Sequence, residues 1–571
     1  MKWHIVIMWS NFGQRRGKMV KKKKKAKKEK QQEFSSALSY PTKDQRPLGL
    51  QPVSVPADAL VTDFLPFRGK KVTPENFNYS LYFTAFDVRD YHKIMEDFID
   101  IFTPLNIKKA YLETYRDGYL ADENTVYYAK EVLEGKGITV SGAVTPTHFS
   151  NRAKYNEFPS PTTCFTDRRG NERMAEIFRY TAEIFDEIII DDWYFTVCKC
   201  ANCVKMRHNK SWQEFRSELL FDAAKNYIIN PAKGANKETR LILKVPNWME
   251  AFYDRGYDLA KLIPEFDEIA VGVETRDYNK ARLLPVYGSM LHRYIREIAG
   301  GKVKKAWFDP YSCDEKIYPE QAYQAALAGA DEIILFCAGN MPTAKTRPLV
   351  ESLLHNTNSI DSAAENKNIF SVPIIRKLNT YGDEKLHQYL LMLGLPGYLT
   401  PNIKAQSKGV VLTAQSAADG EQEKLFAYFL KQKKDMIITA GFAGRASKKI
   451  ELKKLDKDVK AETVDVKNKK IKLDENIFLG YTVNGGKDLV TINGKYPMIT
   501  LFKIKSSNVW VLNLPYTTDK ILNPAKVEMP ADYRYLLRMP AQVKRVFEGI
   551  FKKFGKTEKY KDKMTLFKYE I

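Results

Sequence analysis

The sequence predicts an α/β protein built on a (β/α)8 barrel, followed by a smaller α/β unit and a small antiparallel β domain. Three observations lead there. Eight short apolar segments alternate with helix-patterned segments over residues 76–345, about 270 residues, the size of one such barrel. The turn after the first segment, AFDVRD, contains no glycine, whereas a doubly wound open sheet would want a glycine-rich phosphate turn there. Acidic, basic and aromatic residues also recur just after the apolar segments, where barrels of this kind gather their chemistry.

Taken in order, residues 1–75 carry little periodicity and several prolines, and read as a basic tail and an extended arm. The predicted strands are Tyr79–Phe86, Ile107–Tyr115, Ile138–Thr145, Ile188–Ile190, Thr239–Val245, Glu268–Glu274, Val303–Phe308 and Asp331–Phe336. Helical patterns fall between them at Tyr91–Phe102, Asn124–Glu134, Arg173–Phe185, Trp212–Tyr227, Tyr257–Ile263, Leu284–Ile298 and Pro319–Ala328. Residues 346–447 then suggest a smaller unit of alternating strands and helices. Residues 448–571 become lysine-rich, with short alternating segments that suggest antiparallel strands. No internal repeat of 20–50 residues is visible.

The net charge of +22 invites a nucleic-acid reading, but twelve Lys or Arg against one Glu lie in residues 1–30. Half of the excess therefore belongs to a tail whose lysine run reads as solvated chain, and no specific nucleic-acid partner is expected. No apolar run approaches the ~20 residues that span a bilayer. Met1–Trp9 lacks a long apolar region with a small-residue cleavage site, so no secretory signal is read. That suits the cytoplasm, or secretion from a different start. Aromatic residues make up 12% of the chain, which suits large cores or ring-stacking pockets for sugars.

The strand ends supply the candidate site. They carry Asp87, then Glu113, Tyr115 and Arg116, then His148, then Asp191, Asp192, Trp193 and Tyr194. Later strands add Lys244, Asn247 and Trp248, then Glu274 and Arg276, then Trp307, Asp309 and Tyr311. Aromatic faces stack on pyranose C–H surfaces while carboxylates grip hydroxyls, and two carboxylates can run glycoside hydrolysis. A single strand-end acid is more often a helix cap or an ion-pair partner. Asp191 and Asp192 stand out because adjacent acids after an apolar run repel unless something uses them. On a regular strand they point to opposite faces, which favours Asp192 as the inward acid, with Asp191 orienting a neighbour. Glu274 ends an apolar strand beside Arg276, whose charge is expected to keep it ionised. Asp309 precedes a proline and could simply start a turn. His148 and Cys313 read as ordinary loop residues.

Cys198, Cys200 and Cys203 form a C-x-C-x-x-C cluster, and Cys164 stands upstream in PSPTTCFTD. Four thiolates make a closed tetrahedral shell, the structural zinc arrangement. A cysteine some thirty residues before an acid, followed by C-x-C-x-x-C, resembles the zinc loop of the glycoside hydrolase family 42 β-galactosidases. The resemblance implies that Cys164, Cys198, Cys200 and Cys203 hold zinc. It also implies Asp192 as acid/base, Asp309 as nucleophile, a flavodoxin-like trimerisation domain at 346–447 and a homotrimer. The chain departs from that family in having Asp191-Asp192 where it has Asn-Glu, and Asp309 where it has Glu, so it reads as a distant relative. An acid on strand four paired with one on strand six, as in many α-glycosidase barrels, makes Asp192 with Glu274 the second assignment. The expected function is hydrolysis of an oligosaccharide or glycoside. The rival is a carbohydrate-binding or scaffold protein that has kept the barrel and lost the chemistry.

Overall fold

A computed structural model describes residues 66–149, 162–277, 283–403, 406–517 and 533–569, all within one unit of the chain, Val55–Ile571. The tail expected at 1–75 lies outside the described residues as far as residue 65. Eight parallel strands form the first sheet: β1 (Asn78–Phe83), β2 (Lys109–Arg116), β3 (Thr139–Val144), β4 (Glu187–Ile190), β5 (Arg240–Val245), β6 (Glu268–Gly272), β7 (Val303–Phe308) and β8 (Glu332–Phe336). β1 pairs with both β2 and β8, so the sheet closes on itself as the predicted (β/α)8 TIM barrel. A two-residue strand, Tyr119–Leu120, turns back on the end of β2.

Strand alternation sorts the side chains. Tyr82, Tyr111, Ala143, Ile189, Ile242, Ala270, Trp307 and Ile334 fill the barrel, while Leu81, Leu112, Ile188, Ile190, Leu241 and Leu243 belong to the core shared with the helices. One close approach needs a glycine: a Cβ on Gly142 of β3 would meet Phe185 and Thr181 at 2.7 and 2.9 Å, just where the helix Arg168–Ile184 ends.

Local chemistry trims some expected elements. The first strand stops at Phe83 because Thr84 caps a helix, Ala85–Tyr91, in a reciprocal box with Asp87. Asp87 is therefore a buried cap partner, and burial lifts its carboxyl to about 6. The helix expected at Tyr91–Phe102 is three short pieces, ending with Met95–Asp100. β6 ends at Gly272, although the Val273 amide still donates to Trp307 and carries Glu274 over the barrel rim.

The second sheet contains β9 (Val372–Ile375), β10 (Gly397–Thr400), β11 (Gly409–Leu412), β12 (Asp435–Thr439), β13 (Thr463–Val466), β14 (Lys469–Lys472), β15 (Lys487–Ile492), β16 (Tyr496–Ile504) and β17 (Ser507–Leu512). Its order is β10-β9-β11-β12-β17-β16-β15-β13-β14. The first five run parallel and the rest antiparallel, so one sheet continues across residue 448. Two further strands, Glu451–Lys460 and Ile477–Asn484, pair separately. The chain then adds helices that the β pattern of 448–571 did not announce: Tyr535–Arg538, Ala541–Phe551 and Thr557–Lys561. Among the described residues no helix is long and apolar enough to cross a membrane.

Candidate active site

The inward side of each strand decides what stands at the C-terminal mouth. Above Ile242 on β5 comes Lys244, above Tyr111 on β2 comes Glu113, and above Ile189 on β4 comes Asp191. Trp307 on β7 forms the floor, with the Lys244 ammonium 4.2 Å from its ring centroid. Lys244 is the centre of the arrangement. Its Nζ lies 3.3 Å from Asp191 Oδ1, 3.0 Å from Asp192 Oδ2 and 3.1 Å from Glu274 Oε1.

Both aspartates reach that ammonium. The strand ends at Ile190 and the chain turns at Asp192, so the alternation that would have sent them to opposite faces no longer applies. Their environments differ. Asp191 also accepts from Arg116 Nη2 at 3.0 Å, from Thr145 at 3.1 Å and from the Asp192 amide at 2.7 Å. Burial opposes its charge, but Lys244 and Arg116 outweigh it and hold Asp191 well below the usual carboxylate range. Burial, with the Asp191 and Glu274 charges behind it, pushes Asp192 up to about 7 against the pull of Lys244. The Asp192 side chain is 21% exposed, against 5% for Asp191 and 3% for Glu274, so it is the acid an incoming ligand meets.

Burial also raises Glu274 despite Lys244. Its Oε2 packs over Gly272, where a Cβ would stand 2.5 Å away. Arg276 pulls Glu274 toward its ionised form, as expected, but behind burial, which raises it, and behind the charges of Lys244 and Asp309. Its guanidinium also forks onto Asp309, with Nε 3.1 Å from Oδ1, from a backbone in the left-handed region, φ 50°. Asp309 takes a further bond from the Tyr311 amide at 3.0 Å. Arg116 likewise forks onto Glu113 at 2.7 and 3.0 Å, and Tyr82 donates to Glu113 at 2.7 Å.

Asp191, Asp192, Glu274, Lys244, Arg116, Glu113 and Trp307 are thus one cluster, and Arg276 with Asp309 forms a pair on the neighbouring strand ends. Asn247 supports the cluster by donating to the Glu274 carbonyl at 2.6 Å. Trp193 stacks near Phe195, and Trp248 meets Phe195, Phe252 and Tyr257 edge-on, both half-buried beside the mouth. Tyr115 is not brought to the cluster. A register shift after Glu113 places it on the outer face, stacked on Phe149 and donating to the Thr147 carbonyl. Thr145, Tyr82 and Gly272 were missed by sequence reading. Strand alternation in YSLYF was the one available signal, since it puts Tyr82 inside.

The four cysteines come together as expected. Their sulfurs all lie within 4.8 Å of one another, with Cys164–Cys200 and Cys164–Cys203 at 3.7 Å and Cys200–Cys203 at 3.6 Å. A tetrahedron with ~2.3 Å metal–sulfur bonds has edges of about 3.8 Å, so these thiols could hold a metal ion. Phe215, Trp212 and Leu219 pack around them.

Comparison with known proteins adds context. A family model described as "Probable glycosyl hydrolase, catalytic domain" matches residues 69–371. An uncharacterized protein of Saccharolobus solfataricus is 29% identical over 358 residues, and the match spans 56% of this chain and 60% of that one. Among solved structures, an alpha-L-fucosidase isoenzyme from Paenibacillus thiaminolyticus superposes with a TM-score of 0.56 at 9% identity, covering 84% of each chain. An exo-beta-1,4-mannosidase from Opitutaceae bacterium strain TAV5 does so with 0.51 at 10% identity, covering 78% of this chain and 93% of that one. At such identities these two likenesses speak for the fold.

Proposed function

The chain belongs to the family of probable glycosyl hydrolase catalytic domains, and on that premise we propose that it hydrolyses an O-glycosyl bond with two carboxylates at the barrel mouth. One observation carries the reading: three acids share one buried ammonium, and their environments push their protonation apart. Asp192, exposed to the mouth and carrying its proton up to about pH 7, is the acid. Once Asp192 is neutral, Glu274 is relieved of one like charge and keeps Lys244 as its counter-ion, so it serves as the nucleophile.

Asp192 gives its proton to the glycosidic oxygen as the C1–O bond breaks, and Glu274 attacks C1 to form a glycosyl ester. Asp192, now a base, then takes a proton from water as that water attacks C1 and frees Glu274. The two oxygens share Lys244 at 3.0 and 3.1 Å, so they are no more than about 6 Å apart. Carboxyl separations of about 5–5.5 Å go with retention, the route written here, and roughly 6.5–9.5 Å with inversion. Asp191 stays ionised and fixes Lys244, and Asp309, held by the Arg276 fork, shapes the rim.

Cys164, Cys198, Cys200 and Cys203 would hold one zinc ion, which would cross-link the chain after β4 to the loop before the helix Arg168–Ile184 that leads into β4. A homotrimer, suggested by domain order, is checked by the mass in solution.

A second reading keeps the barrel and drops the chemistry. It is favoured by Lys244 itself, which stands between the acids where a reacting sugar carbon would go. A panel of aryl glycosides, including the α-L-fucoside and the β-D-mannoside, decides. Turnover that falls by about 10²–10⁴ in Asp192→Asn and Glu274→Gln fits the mechanism. Turnover unchanged in both variants would sink it, and binding without turnover by the wild type would leave the second reading.

A further inference from the structure

Three members of the mouth cluster are held from behind by one stretch of chain. Asn247 donates to the Glu274 carbonyl at 2.6 Å, and the buried Tyr257 hydroxyl lies 3.4 Å from the carbonyl oxygens of both Asp192 and Lys244. The stretch from Asn247 to Tyr257 follows β5 and has little regular structure of its own. It contains two three-residue turns of 3-10 helix, Met249–Ala251 and Tyr253–Arg255. Its position is therefore set by what grips it.

The second sheet supplies much of that grip. Glu250, three residues after Asn247, is buried, and its carboxylate bonds the loops after β9 and β11. Oε2 accepts from Arg376 Nη2 at 3.0 Å and from Gln415 Nε2 at 2.7 Å, and Oε1 accepts from the Lys385 amide at 3.1 Å. Arg376 is itself fixed, with Nε donating to Gln415 Oε1 and Nη1 to the Tyr294 hydroxyl, each at 3.2 Å. Burial opposes the Glu250 charge, but Arg376 outweighs it and keeps the carboxylate ionised. Four residues further on, Asp254 Oδ1 accepts from the Tyr381 hydroxyl at 3.2 Å. The loop 376–385 thus holds the stretch at two points. The barrel adds Tyr287, which donates to the Asn247 carbonyl at 2.8 Å, and Gln213, which donates to Asp254 at 2.8 Å.

A buried ion pair returns little net stability, because desolvating two charges costs about as much as their attraction gives. What it supplies here is geometry. An apolar contact would join the two sheets and let the loop slide, whereas a carboxylate that meets three fixed donors has one seat. We propose that Arg376 is a positioning residue: through Glu250 it fixes the stretch Asn247–Tyr257, which in turn sets the main chain of Asp192, Lys244 and Glu274. The consequence for turnover rests on the hydrolase reading, and the consequence for the order of the mouth does not.

The test replaces the pair in the full chain by apolar side chains, Glu250→Met with Arg376→Met, a change that buried ion pairs often tolerate without loss of stability. The folded double variant is expected to lose about 10²-fold in kcat, the cost of a misplacement of about 1 Å, with KM little changed. Hydrogen exchange read by mass spectrometry should quicken in 247–257 and 376–385, and also in the peptides that contain Asp191–Trp193 and Val273–Thr275. Arg376→Lys, which keeps the charge but not the planar fork, should fall between the double variant and the wild type in both readouts. It carries the test if the double variant does not fold. Exchange that quickens at the interface and stops there, or a wild-type kcat in the folded variant, would mean that the pair only joins the two sheets, and overturns the proposal. If the wild type turns over no glycoside, the hydrolase reading falls and the exchange pattern alone decides.

Discussion

The two ends of the barrel are both closed by charged side chains, yet they are built on opposite principles. At the N-terminal end, Glu187, Glu268 and Glu332 are laced to Lys109, Arg240 and Lys305. Lys305 spans Glu268 and Glu332 at 2.8 and 3.0 Å, and Arg240 bonds both Glu187 and Glu268. Each of these acids touches at least two cations. Burial opposes the charge of Glu268 and Glu332, but the cations win and both carboxyls are lowered. At the C-terminal end the ratio is inverted. Three acids share Lys244, and two of them are raised. A charge network that is balanced locks a structure, whereas one with surplus acid keeps protons within reach of neutral pH. The second kind is what acid–base chemistry needs.

The sharpest way to break this contrast is to remove the central cation at each end. Lys244→Met is expected to abolish turnover and to destabilise by about 3–5 kcal/mol, the usual penalty for stranding a buried charge. Lys305→Met should show a comparable stability loss in denaturant titration while the folded protein still turns over substrate. Equal activity of the two variants would mean that the ends do not differ as described.

A smaller effect is expected at the cysteines. Elemental analysis is expected to find about one zinc per chain in the wild type, and Cys200→Ser should lower that content and lower Tm by several degrees. The kcat of the protein that stays folded should change far less, because a four-thiolate shell leaves no position for substrate. A kcat loss larger than the stability loss would contradict a structural role.

The smallest effect is in pH dependence. Asp192 and Glu274 bind protons more tightly folded than unfolded, so their contribution to stability declines as pH rises from about 4, the unfolded Asp value, to about 7 for Asp192. Glu268 and Glu332 are depressed, so their contribution is present above their unfolded values and is lost as pH falls through the folded ones. Tm should therefore rise modestly from pH 8 to 5.5 and fall at more acid pH. Asp192→Asn should flatten the first limb only. In the wild type kcat should fall above pH 7 as Asp192 loses its proton; a rate that climbs through pH 8 would remove Asp192 as the acid.

Much of this was determined by the sequence alone. Eight apolar segments at barrel spacing are a local signal repeated eight times, and the C-x-C-x-x-C cluster with Cys164 is a set of thiols whose spacing needs no fold to be noticed. The rim residues followed from one rule, that strand ends point to the mouth, and it brought Asp191, Asp192, Lys244 and Glu274 together. The rule failed at Tyr115, where a register shift reversed the face. Tertiary structure alone decided that the Lys244 ammonium touches all three acids at once, at 3.0 to 3.3 Å. It also decided that β12 and β17 join two stretches into one sheet, and that Glu250 clamps that sheet to the barrel. The physical reason is the same throughout. Periodicity records how a segment meets its nearest neighbours, while the energy of a buried charge depends on partners that only the closed barrel brings within about 3 Å.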